Sequence, residues 1–156
     1  MAKRTGTPHC FTVAQANAML PLVRAIVGDI VRLARELVDR QQRLQNLMVD
    51  RPERESNDPY VDELQQVGEQ LERDERQLGE YVKELQDLGV ELKGPLEGLV
   101  DFPTVIDGKP ALLCWKYDEP EVLFWHDLVS GFAGRQPLTA DACSHPDESQ
   151  GLDRLA

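Results

Sequence analysis

The stretch LQQVGEQLERDERQLGEYVKELQDLGV, from Leu64 to Val90, decides the fold. Leu64, Leu71, Leu78 and Leu85 recur every seven residues, with Val67, Tyr81 and Leu88 on the adjoining line, where Asp74 is the exception. Alternating steps of three and four residues hold such side chains on one side of an α-helix, the pattern of a coiled-coil seam. Asp58 followed by Pro59 reads as the start, an N-cap and then a proline at the first helical position, where its missing N–H does no harm. At the other end Gly89 reads as a left-handed cap, with Val90 packing back on the helix as in a Schellman motif.

Upstream, Ala16, Val23, Ile30, Leu37 and Leu44 make a second seven-residue series beside Met19, Ile26, Leu33 and Leu47, and Arg40 takes the remaining place. Thr12 with Gln15 fits a capping box, and Phe11 just before it can staple against Ala16. Pro21 lacks an N–H and crowds the preceding turn, so a short N-terminal helix followed by a kink or break is predicted. Two helices then follow, Pro21 to about Asp50 and Pro59 to Leu88, joined by the polar segment Arg51 to Asn57. At roughly 1.5 Å per residue each is on the order of 45 Å long, which predicts a long antiparallel helical hairpin. The leucines read as core. A zipper-type DNA reader is disfavoured because no basic region precedes either series. Arg40 and Asp74 intrude on the apolar seam, where polar residues can fix register or oligomeric state; a buried catalytic pair is the alternative.

From Val90 onward the period changes and turn residues multiply. Leu99 to Ile106, Ala111 to Tyr117 and Val122 to Leu128 are rich in β-branched and aromatic residues. Asp107-Gly108 and Asp118-Glu119-Pro120 separate them, which predicts a three-stranded antiparallel meander, with Pro103 on an edge or at a bulge. Alternation sends Leu112, Cys114 and Lys116 to one face and Leu113, Trp115 and Tyr117 to the other, while Val122, Phe124 and His126 share a face. Neither face is cleanly polar, so cover on both sides is expected, from the helices or a second subunit. The fold class expected is therefore α+β. Residues 1–10 are expected to be a flexible N-terminus, residues 11–138 one domain (helical hairpin 11–89, β-module 90–138) and residues 139–156 a disordered acidic tail.

A chain of 156 residues is long enough for a real core. Its net charge of −11 disfavours wrapping of nucleic-acid backbones and binding to anionic membrane surfaces. No apolar run approaches the ~18–20 residues of a bilayer span, and Thr5 to His9 is not a secretory core, so a cytoplasmic protein is expected. Cys10, Cys114 and Cys143 are odd in number and widely spaced, and read as reduced thiols.

Phe11-Thr12, Ala16-Asn17 and Leu20-Pro21, then Gly98-Leu99-Val100-Asp101-Phe102-Pro103, Leu113-Cys114-Trp115, Glu119-Pro120-Glu121, Trp125-His126-Asp127 and Gly131-Phe132-Ala133-Gly134-Arg135, together resemble a bacterial family termed domain of unknown function 2203. The likeness runs from about Phe11 to Leu138. It implies a small cytoplasmic bacterial protein and carries no catalytic residue with it.

Chemistry-bearing residues concentrate in the β-module. Asp101, Trp115, Glu119, Trp125, His126 and Arg135 are the ligand-binding candidates, because polar groups among aromatic walls supply orientation and burial together. His126 can act as a base or a metal ligand, with Glu121 or Glu119 as its partner in a divalent site. Each has a plainer reading: His126 as a structural hydrogen-bonded residue, the tryptophans as core, the carboxylates as solvated turn residues, Arg135 as a lock on its loop through carbonyls or Asp101. His126 and Asp127, adjacent on a strand, point to opposite faces, which weakens direct pairing. No spaced metal motif, phosphate loop or nucleophile elbow occurs. Cofactor and reaction stay open. Two functions compete: an assembly or adaptor protein, self-associating or binding a protein partner through its helical arm, and a small-molecule or metal binder or enzyme working around His126 and Arg135.

Overall fold

The computed structural model describes residues 10–50 and 59–138. The expectations for the N-terminus, the interhelical segment with its Asp58 cap, and the acidic tail fall outside them. Two helices, α1 (Val13–Asp50) and α2 (Pro59–Asp87), precede β1 (Glu91–Gly94), β2 (Leu99–Ile106), β3 (Lys109–Lys116), β4 (Phe124–His126) and β5 (Gln136–Pro137). The strands form one antiparallel sheet in the order β1-β2-β3-β4-β5.

The capping box forms as the sequence predicts: the Thr12 N–H donates to Gln15 Oε1 at 2.9 Å and the Gln15 N–H to Thr12 Oγ1 at 3.1 Å. The predicted break does not occur, since α1 runs unbroken through Pro21 for 38 residues. Pro21 is exposed, while Leu20 and Val23 on either side are buried in one core. Packing of the flanking turns outweighs the loss of one hydrogen bond. The C-terminus of α2 closes as a Schellman motif: the Val90 N–H donates to the Leu85 carbonyl at 3.2 Å and the Gly89 N–H to that of Gln86 at 2.9 Å, with Gly89 at φ 86°.

The heptad series captures only part of what α1 buries. Leu33 and Leu37 pack on Leu71 of α2, with Leu44, Val67, Leu78 and Tyr81 around them. Arg40 and Asp74 meet there as an ion pair. Nearer the N-terminus α1 also covers the sheet, and a second line of buried residues, Leu20, Val27 and Val31, joins Val23 and Ile30 against Val100, Phe102, Leu113 and Trp115. A helix wedged between another helix and a sheet needs a wider apolar stripe than a two-helix seam.

The sheet has five strands rather than the three expected. Glu91–Gly94 alternates weakly and Gln136–Pro137 is only two residues long, so neither carries a periodic signal. Strand β4 is also shorter than the predicted Val122 to Leu128. The Asp107-Gly108 hairpin is as expected, with φ 52° and 75°, the positive pair of a type I′ turn. Pro103 lies beyond the end of β1, and its outward carbonyl accepts the Phe11 N–H at 2.7 Å. Because N–H and C=O of one strand residue share a side, its missing donor costs the β2–β3 ladder nothing. Phe11 is thus held to the sheet; Thr104 Oγ1 donates to its carbonyl at 2.7 Å and its ring meets Phe102 edge-on at 5.4 Å. No helix among the described residues is long and apolar enough to cross a membrane.

Candidate functional site

One face of the sheet is spent on the helices, and the other carries the chemistry. Val100, Phe102, Leu113 and Trp115 alternate onto the helical side. Asp101 and Cys114 are direct partners across β2 and β3, and His126 of β4 pairs with Leu112 two residues before Cys114. Side chains at alternate positions on neighbouring strands share a face, so Asp101, Cys114 and His126 converge on the side away from α1. All three are buried, with 1%, 0% and 3% of their surface exposed.

His126 bonds at both ring nitrogens. Its Nδ1–H donates to the Asp127 backbone carbonyl at 2.7 Å, and Nε2 faces Asp101 Oδ1 at 3.0 Å with a proton between them. The bond to Asp127 goes to its carbonyl because the side chain points the other way, as strand alternation requires. That side chain instead accepts the N–H groups of Val129 and Ser130 at 2.9 and 2.6 Å. These bonds hold the Asp127 carboxyl below its ordinary range and tie down the start of the following loop. Burial pushes the Asp101 carboxyl above its ordinary value, partly offset by the bond and charge of His126 and then by the charge of Lys93.

Burial also pushes the Cys114 thiol up to about 11, against the pull of Arg135. Cys114 is therefore expected to resist iodoacetamide at pH 8 in the folded protein, while exposed Cys10 reacts. Mass spectrometry of the alkylated peptides checks this; labelling of Cys114 at the rate of Cys10 would contradict its placement.

The loop from Asp127 to Arg135 roofs this face. Gly131 adopts φ 62°, ψ −159°, a conformation nearly confined to glycine, and a 3-10 turn at Phe132–Gly134 follows. Arg135 returns to the sheet and bonds both carboxylate oxygens of Glu119, which also accepts the Lys116 N–H at 2.8 Å. Its guanidinium lies 3.9 Å from the Phe124 ring centroid and 4.6 Å from that of Phe132, with Nη1 3.8 Å from Cys114 Sγ.

The predicted residues thus divide. Asp101 and His126 come together. Arg135 and Glu119 form a second pair, which locks the loop through Glu119 and not through Asp101. Trp115 is fully buried on the helical side, its Nε1–H donating to the Glu119 carbonyl at 3.0 Å, and Trp125 is half-buried against the same core. Alternation turns both away from His126. Glu121 is exposed and does not join the His126 cluster. Cys114 was missed as a site residue. Counting equal steps outward from the Asp107-Gly108 turn would have put it opposite Asp101.

A cavity of about 200 Å³ opens over the pair, lined by Asp101 and His126 with Lys93, Leu112, Val129 and Phe132 among its walls. A wider groove of about 490 Å³ lies beside Arg35, Leu96 and Tyr117, but none of its lining residues is buried. The smaller cavity is the candidate, since it alone of the two reaches buried ionisable groups.

Residues 9–138 match the family described as uncharacterized conserved protein, DUF2203. Among curated proteins and among solved structures nothing matches the chain.

Proposed function

Because the chain belongs to the DUF2203 family, a description that names no reaction, its function rests on its own site, and we propose a cytoplasmic protein that binds a small anionic molecule over Asp101 and His126. The observation that carries this reading is the buried carboxyl–imidazole pair exposed at one end to a cavity. A pair of this kind is neutral as a unit, and Lys93 beside it adds a positive charge, in a chain whose net charge is −11. The cavity volume of about 200 Å³ is below the ~300–1,000 Å³ of sites for drug-sized ligands, which favours a few-carbon acid or a phosphate over a nucleotide.

The test is a thermal-shift screen of small carboxylates and phosphates, followed by calorimetry on the best ligand. Lys93 is exposed and ion-paired with Glu91, so Lys93→Ala should leave the fold intact and weaken binding about tenfold. A screen without hits, or a hit indifferent to Lys93→Ala, would remove this reading.

A second role, assembly of copies through α1 and α2 as a helical hairpin, is supported by Val38, Met48 and Val49, which stand 48%, 59% and 72% exposed along the far half of α1. Light scattering at micromolar concentration decides it, and a strict monomer would rule it out.

A further inference from the structure

We propose that the floor of this cavity is a site for a zinc-like divalent transition metal, held by Asp101, Cys114 and His126, with its remaining position open to the cavity. The inference deepens the ligand-binding reading above: the ion would be what the bound anion touches.

The donor atoms are already gathered. A carboxylate oxygen of Asp101, Sγ of Cys114 and a ring nitrogen of His126 all lie within 4.8 Å of one another, and the three residues are buried. Metal–ligand bonds of about 2.0–2.3 Å place the donors around one tetrahedral ion roughly 3–4 Å apart, so a contraction of about an ångström completes the set. Three adjacent antiparallel strands supply the residues, which gives the site a rigid frame.

The second observation is the orientation of the imidazole. Nδ1–H is committed to the Asp127 carbonyl at 2.7 Å, which leaves Nε2 as the nitrogen aimed at Asp101. A ligating histidine is held in this way, its second nitrogen donating to a carbonyl so that tautomer and ring angle are set. A hydrogen bond to Asp101 alone would not bring a thiol into the same cluster. Mixed sulfur, nitrogen and oxygen donors favour zinc, cobalt or iron over calcium or magnesium, which take oxygen. Thiolate and carboxylate together neutralise a divalent ion, and Arg135, 3.8 Å from Sγ, favours the thiolate. Binding expels the Cys114 thiol proton and the proton between Nε2 and Oδ1, while Nδ1 keeps its own. With three protein ligands the fourth position takes water or the anion, as in catalytic rather than structural zinc sites.

The test uses full-length protein carrying Cys10→Ser and Cys143→Ser, so that Cys114 is its remaining thiol. Chelator-stripped protein is titrated with Co²⁺ and then Zn²⁺. One equivalent of Co²⁺ should produce a near-ultraviolet thiolate-to-cobalt charge-transfer band and the visible bands of a four-coordinate ion, both lost as Zn²⁺ displaces it. Adding Cys114→Ala should abolish the charge-transfer band, and Asp101→Asn should weaken Co²⁺ binding by at least tenfold. Absence of the band at excess Co²⁺, in protein with native circular dichroism, overturns the proposal without recourse to a ligand variant. Repeating the anion screen in chelator separates the two readings. An anion that binds stripped protein showing no cobalt band leaves the pocket and removes the metal; a cobalt band with no anion binding to loaded or stripped protein leaves the metal and removes the anion.

Discussion

Replacing Asp101 by alanine should lower stability by about 3–5 kcal/mol, because His126 then stays buried with its Nε2 partner gone. For a chain of this length each kcal/mol moves the melting temperature by roughly 2–4 °C, so a drop on the order of 10 °C is expected in a calorimetric scan of metal-free protein. Asp101→Asn separates charge from hydrogen bonding. Its amide can donate to a neutral Nε2 while Nδ1 keeps its bond to Asp127, so more than half the loss should be restored. The pair Asp101→Leu with His126→Leu should cost less than the two single changes together, since neither leaves a stranded polar group. A loss below about 1 kcal/mol for Asp101→Ala would mean that the buried pair does not form, and the cavity would have no floor.

Gly98→Ala is the second large effect, and its cause lies in the contact between α1 and the sheet. Gly98 has φ 71°, and a Cβ there would sit 2.5 Å from Tyr117 Cβ and 3.0 Å from methyl carbons of both Val27 and Val31. Backbone strain and overpacking together should cost about 2–4 kcal/mol. Gly108 is the control: its φ of 75° is equally unfavourable to alanine, but nothing lies within 4 Å of the added carbon. Gly108→Ala should therefore lose only the backbone part, about 1–2 kcal/mol. Denaturant titration of the two variants reads the difference, and equal losses would show that α1 does not press on this turn.

Much of the architecture was legible because it is local. The capping box of Thr12 and Gln15, the Gly89 cap with Val90 folded back, and the type I′ turn at Asp107-Gly108 each depend on a few neighbouring residues, and each is present. Misreadings arose where a distant partner decides. Pro21 reads as a break until its neighbours Leu20 and Val23 are seen anchored in the core. β1 and β5 have no periodicity of their own, and exist because β2 and β4 offer free edges to pair with.

The candidate site shows the same division. His126, Asp101, Glu119 and Arg135 stand out in the sequence as ionisable groups among aromatics, but nothing in their order says which pairs with which. Trp115 and Trp125 look like pocket walls for the same reason and pack against the core on the face opposite His126.

From the sequence by itself came the two helices, the Thr12 and Gly89 caps, the central β-hairpin and the two-faced alternation of its strands, since these follow from side-chain period and backbone preference within a few residues. Only the tertiary structure decided that Cys114 joins Asp101 and His126, that Glu119 takes Arg135, and that a cavity opens over Asp101 and His126. The physical reason is that register, burial and the return of the Gly131 loop depend on contacts across strands far apart in the chain, which no periodicity encodes.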